Sequence, residues 1–212
     1  MMVSDFINKW TRKVPTWVLY SGLAIPAIVY FYWAVTNQLG VDPLGRLEHQ
    51  YGEWALQLLI AGLLVTPLRT YAKINLIKFR RAIGLMAFFY VTLHLSVWVV
   101  LDKQFFWGEI WADILKRPYI TIGMSAFLVM VPLAITSNNW SLRKIGAATW
   151  RKLHKLTYYA ALAGAVHYLL LVKSWPPEPI IYLSIVVGLL LLRTPIRKLL
   201  GAARKPRTTV SS

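Results

Sequence analysis

Long apolar runs alternate with short polar, basic or proline-containing stretches along the chain. The runs fall at 16–35, 54–68, 82–101, 119–136, 156–172 and 180–192, the last with some continuation. A helix needs about 20 residues to cross a hydrocarbon core. The second and sixth runs are short for that, and Tyr51 and Tyr71 extend the second as interfacial aromatics. The pattern predicts an all-α integral membrane protein, a six-transmembrane-helix bundle with a lead at 1–15, a membrane domain at 16–200 and a basic, polar, disordered tail at 201–212. The first run is too long for a signal-peptide core and no small-residue cleavage site follows it, so it is read as a retained span.

The connections have their own signals. Residues 37–53 hold Asp42-Pro43 and Gly45, which predict a loop or short surface helix, with His49 as a surface residue. Residues 102–118 carry Phe105, Phe106, Trp107 and Trp111 among mixed charges, which suits a helix lying at the membrane interface. Ser137-Asn138-Asn139-Trp140-Ser141 reads as a helix stop and a capped restart. Pro176-Pro177-Glu178-Pro179 predicts a stiff tight turn.

Composition agrees with this pattern: 57% of residues are hydrophobic, with 10 Trp and 11 Tyr, too few polar residues to cover a soluble domain. Charge adds an orientation. Nineteen of the 24 lysines and arginines fall on the side of the termini, with Asp5 the one acid there. The other side holds Arg46, Lys103, Lys116, Arg117 and Lys173 against seven acids. The positive-inside rule therefore places both termini in the cytoplasm. The net charge of +16 is a topology signal plus attraction to anionic membrane lipid, and it leaves no basic soluble domain for nucleic acid. Cysteine is absent, which excludes disulfides, cysteine-ligated clusters and covalent haem attachment.

Three of the four histidines fall in or at the edge of predicted spans. His154 and His167 sit near the ends of one apolar stretch, roughly 20 Å apart at about 1.5 Å per residue. The third and fifth spans run parallel. His94 lies thirteen residues after Arg81, and His167 thirteen after His154, so His94 and His167 share one depth in the outer half. His154 falls at the cytoplasmic edge, level with Arg80 and Arg81. Two imidazoles at one depth on separate helices can supply both axial ligands of a b-type haem, with arginines nearby for its propionates. The competing reading is a pair of polar histidines bridging helices by hydrogen bonds. On an ideal helix His154 and His167 lie roughly 140° apart, so they need not share a face.

A set of short motifs runs in order from about residue 40 to 170: Gly40-Val-Asp-Pro43, Thr66-Pro-Leu-Arg69, Arg80-Arg81, Gly84-Leu85, Thr92-Leu-His94-Leu95, Arg117-Pro-Tyr119 with Thr121 and Gly123, Thr136-Ser137, Trp150 with Leu153-His154, Tyr158 and His167-Tyr168. On these the chain resembles the ferric reductase-like transmembrane superfamily, and within it the MsrQ-like haem-binding subunits of bacterial periplasmic methionine sulfoxide reductase systems. The resemblance implies a multi-pass inner-membrane electron-transfer subunit that passes electrons through haem b to the periplasmic molybdopterin enzyme MsrP. It implies an outer haem on His94 and His167, and an inner position at His154, so one haem, with a second open. The superfamily pattern has a histidine where Arg80 stands, so the inner site is empty, uses another ligand, or receives a donor flavin. FMN is associated with the family, yet there is no G-x-G-x-x-G and no Rossmann-sized soluble region. The donor is then a cytosolic flavin reductase or quinol. Arg80, Arg81, Arg151 and Lys155 are candidate contacts to propionate or flavin phosphate, or plain membrane anchors; Arg117 could position a propionate or the partner. Two other functions compete: a quinol- or flavoreductase-linked haem protein with a different acceptor, and a transporter or scaffold with structural histidines.

Overall fold

The structure, a computed structural model, describes residues 2–172, 174 and 176–193. The expected tail at 201–212, the end of the 16–200 domain and Lys173 lie outside the described residues. Ten helices follow in order: α1 (Met2–Lys13), α2 (Thr16–Val35), α3 (Pro43–Tyr71), α4 (Arg80–Ser96), α5 (Trp107–Lys116), α6 (Pro118–Ile135), α7 (Asn139–Ile145), α8 (Ala147–Leu153), α9 (Leu156–Leu171) and α10 (Pro177–Leu191). A 3-10 turn at Ile77–Phe79 leads into α4, and a π-helical turn at Val97–Asp102 continues it.

Four of these segments are long and apolar enough to cross a membrane: α2, α3, α6, and α4 with its flanking turns, Ile77–Asp102. The runs expected as fifth and sixth spans fold as helices α9 and α10, which at 16 and 15 residues fall short of that length. Large apolar side chains such as Trp17, Ile28, Phe31 and Leu128 point outward, as lipid-facing positions do.

One expected boundary is wrong. Residues 43–53 are neither a loop nor a separate short helix; they are the first three turns of α3, a 29-residue helix. Asp42 caps it, its side chain accepting the Gly45 N–H at 2.9 Å, and Pro43 occupies the first turn, where a missing N–H costs nothing. The Asp-Pro pair thus opens a helix instead of punctuating a loop. His49 is thereby placed on a helix, exposed but facing α9.

The core forms where α3 packs on α4 and α6 on α9, with α2 against the first pair and α10 against α9 and α3. Small residues permit the close approaches: Ala160, Ala161 and Ala165 on α9 are fully buried. Two tyrosine hydroxyls fasten α2, Tyr51 donating to Ala27 O at 2.7 Å and Tyr90 to Leu23 O at 2.5 Å. Both bonds flank Pro26, where α2 lacks an N–H.

A second proline is compensated from farther away. Pro67 inside α3 cannot donate to the Leu63 carbonyl four residues back. The Arg193 guanidinium, just past α10, donates to that carbonyl through Nη2 and to the Tyr158 hydroxyl through Nη1 at 2.8 Å. It also lies over the Tyr158 ring, 5.0 Å from the centroid. Arg193, the first basic residue past the sixth apolar run, thus ties α10 to α3 and α9.

Hydrogen bonds pin further described connections. Asn8 of α1 holds the turn after α3, donating to Lys73 O and accepting from Asn75 N–H, and Lys78 donates to Arg12 O at 2.9 Å. Asn138 caps α7 by accepting the Ser141 N–H at 2.8 Å, the restart expected there. His154 and Lys155 form a break between α8 and α9, so the two histidines expected on one helix lie on separate segments and the ideal-helix angle between them does not apply.

Candidate functional site

His94 of α4 and His167 of α9 project into one cavity of about 320 Å³ in the bundle. Their ring centroids are 6.2 Å apart and the ring planes nearly perpendicular, at 81°. Each ring is fixed from behind. His94 Nδ1 bonds the Glu48 carbonyl on α3 at 2.9 Å, and His167 Nδ1 bonds the Tyr119 carbonyl on α6 at 2.6 Å. A carbonyl only accepts, so both Nδ1 atoms carry the proton and both Nε2 atoms keep their lone pairs. A backbone carbonyl on the remote nitrogen is the usual partner of a metal-binding imidazole, and it fixes the tautomer.

The pair fits a haem. A metal bound to both Nε2 atoms at about 2 Å would hold the ring centroids roughly 6 Å apart, close to the separation seen. Among the described residues no three His, Asp or Glu side chains gather as a metal-ion site. Two lone-pair donors without further ligands suit a metal that brings its own equatorial nitrogens. The walls are apolar, with Leu56, Leu59, Val91, Phe127, Met130 and Leu171 among them.

One end of this cavity is charged. Lys103 lies 2.9 Å from Asp113, 3.8 Å from Glu109 and 3.9 Å from Asp102. Arg117 pairs with Asp113 at 3.2 Å and donates to the Tyr119 hydroxyl. Its hydrogen bond to Asp113, reinforced by the three acids, pushes the Lys103 ammonium above its ordinary pKa. The π-helical turn places Lys103 here, its N–H reaching the Trp98 carbonyl five residues back. Pro118 opens α6, so Arg117-Pro118-Tyr119 both starts a helix and delivers the carbonyl that holds His167.

Several residues at this cavity went unsignalled in the sequence reading. His49 lines it too, its ring 5.3 Å from Tyr168 and Nε2 3.4 Å from the Tyr168 hydroxyl. His49 is exposed, as expected, but not isolated: α3 begins at Pro43 and turns its ring toward Tyr168 of α9. Gly52 and Gly123 face the rings of His94 and His167. The Asp-Pro helix start was the available signal for His49; Gly123 stood in the motif set beside Tyr119 without an assigned role, and Gly52 had no signal.

The inner candidates occupy a second cavity of about 460 Å³, lined by Arg80, Arg81, His154, Trp150 and Tyr20. His154 is stacked on Trp150, centroids 3.7 Å apart, with Nε2 3.1 Å from the Thr136 hydroxyl. Trp150 Nε1 donates to the Thr136 carbonyl at 2.8 Å, which locks the stack to the end of α6. Burial, with Arg80 and Arg81 nearby, holds the His154 pKa below its ordinary value, so the ring is neutral. No second imidazole is among the residues lining this cavity. Arg151 is exposed on α8 and is not among the residues lining either cavity, so the structure does not join it to the other candidates.

A model of the ferric reductase like transmembrane component matches residues 50–165, which include His94 and His154 and stop just short of His167. The chain is also 51% identical over 177 residues to proteins of Brucella ovis, Brucella canis and Brucella melitensis, covering 84% of this chain and 80% of each of theirs. Those relatives are named protein-methionine-sulfoxide reductase heme-binding subunit MsrQ.

Proposed function

The chain belongs to the MsrQ group of the ferric reductase-like transmembrane family, and from that premise we propose that it is a b-type cytochrome of the bacterial inner membrane that carries electrons to a periplasmic methionine sulfoxide reductase, MsrP. The observation that carries this reading is the His94–His167 pair, two rings 6.2 Å apart with each Nδ1 bonded to a carbonyl. Bound between them, haem b supplies one-electron transfer. The protein supplies the rest. His94 and His167 offer neutral Nε2 donors whose basicity the carbonyls of Glu48 and Tyr119 raise. Apolar side chains keep water from the ring faces, and Lys103 and Arg117 offer cations for the propionates. In this arrangement the redox group lies near the outer face, where a periplasmic partner can reach it.

Six spans with both termini cytoplasmic fit this direction of flow, supported by the lysine and arginine excess on the side of the termini. Electrons enter at the inner cavity, from a cytosolic flavin reductase or quinol, at the basic face formed with Arg80 and Arg81. FMN has no signature in the chain and no dedicated fold here, so a flavin in this scheme belongs to the donor side.

Haem content and reduced-minus-oxidised spectra of the detergent-purified protein test the assignment. His94→Ala and His167→Ala are expected to lose low-spin haem, while His154→Ala retains it. Partial loss in all three would replace one haem by two. Wild type without haem after expression with adequate haem supply would overturn the reading in favour of a transporter or scaffold. Reoxidation of reduced protein by MsrP with methionine sulfoxide is expected; a response to ferric chelates alone would favour a different acceptor.

A further inference from the structure

Both ligand rings lie against a glycine of the neighbouring helix. A Cβ placed on Gly52 of α3 would stand 3.0 Å from His94 Nδ1 and 3.2 Å from Cε1. One on Gly123 of α6 would stand 2.8 Å from His167 Nδ1 and 3.0 Å from Cε1. The bonded carbonyls, Glu48 and Tyr119, sit four residues before their respective glycines. In an α-helix that carbonyl already takes the N–H of the residue four positions on, here the glycine itself. Each imidazole therefore enters where the missing side chain leaves the carbonyl open, and shares it. A glycine inside a helix is less stable than alanine there, so the positions carry a cost the ring contact explains. Gly22 and Gly188, also helical, face open space instead.

We propose that Gly52 and Gly123 are positioning residues for the two haem ligands, each setting the height and orientation of one imidazole and keeping its Nδ1–H on the helix carbonyl. The proposal rests on the haem reading above. It makes α3 with α4, and α6 with α9, two copies of one device: a glycine, the carbonyl one turn before it, and a histidine on the antiparallel partner. Alanine at either position pushes the ring off its carbonyl. The bound iron then feels a less basic imidazole and a rotated ring plane. The closer contact and the shorter hydrogen bond are both at Gly123, so the larger effect belongs there.

The test uses the haem-loaded full chain. Redox titration and low-temperature EPR of Gly52→Ala and Gly123→Ala are compared with wild type and with Gly22→Ala and Gly188→Ala. The expected result is a raised reduction potential and a displaced low-field resonance, which reports the angle between ligand planes, in the first two variants, larger in Gly123→Ala, with both controls at wild-type values. Wild-type potential and resonance in Gly52→Ala and Gly123→Ala would overturn the proposal. If either variant fails to fold, pulsed EPR of the wild type after transfer to D2O decides. Slow exchange of both Nδ1 protons supports the buried carbonyl bonds, and immediate exchange overturns them. Wild type lacking haem sinks the haem reading itself, whereas haem present with unmoved glycine variants sinks this proposal alone.

Discussion

Replacing Arg193 by methionine keeps the apolar stem and removes the guanidinium that caps the carbonyl of Leu63. Leu63 is 1% exposed, and Pro67 offers no N–H to replace the lost donor. A buried carbonyl left without a partner costs about 1–3 kcal/mol. Hydrogen bonds between membrane helices average nearer ~0.6 kcal/mol, because the reference state in the membrane also finds partners. Losing the Leu63 and Tyr158 bonds together should therefore destabilise the protein by about 1–3 kcal/mol. The sharper test is a cycle. Pro67→Ala restores the helical N–H to Leu63, so Arg193→Met made in that background should cost about 1 kcal/mol less than in the wild type. Equilibrium unfolding in mixed detergent and SDS, followed by tryptophan fluorescence, gives the four free energies. Costs that add to within about 0.5 kcal/mol would refute the claim that Arg193 serves the carbonyl that Pro67 orphans.

Two further outcomes follow from the outer cluster and from α2. Lys103 is held charged by Asp113, and its folded pKa lies above the ordinary 10.5, so its stabilisation is complete below that value and is lost as pH rises through the folded pKa. Thermal melts should show Lys103→Met less stable than wild type at pH near 8, with the gap closing in strong alkali; a gap independent of pH would contradict the ion-pair account. Tyr51→Phe and Tyr90→Phe should each lose about 1 kcal/mol, the net worth of one hydrogen bond, by the same unfolding assay. Their rings are 6.0 Å apart, so the double variant is expected to deviate from the sum.

Apolar length made the first, fourth and fifth helices legible, because proline or a polar turn stands at their ends: α2 occupies 16–35, and α6 and α9 fall within a residue of the expected limits. Depth was legible as well. Counting from the basic residues at the inner edge put His94 and His167 level, and helix rise is regular enough for that count to survive folding. What helix each residue belongs to was harder. Asp42-Pro43 serves equally to break a chain and to start a helix, and composition weighed the polar residues 44–53 as a loop or short surface helix. That hid the contact of the exposed His49 with Tyr168 at the cavity. The break at His154 was hidden for a different reason, since Leu153 to Leu156 carry no glycine or proline to mark it. Contacts between helices left no local trace. Gly123 belongs to a motif with Tyr119, yet neither it nor Gly52 shows a ring contact until the facing histidine is placed, and Arg193 reads as one more basic residue past the sixth run until Pro67 is seen beside it.

The duplicated glycine-and-histidine device also sets an order of manufacture. A ribosome releases α3 and α4 first, so the ring of His94 can settle on Gly52 while α6 and α9 are still unmade. The second ring arrives only after residue 167 has been inserted. On the proposed haem reading, the half-built chain carries one histidine of the pair and has nothing to grip the other face of the prosthetic group. Capture would then be the closing act of biogenesis, and a shortage of haem is expected to strand chains whose two halves have nothing between them.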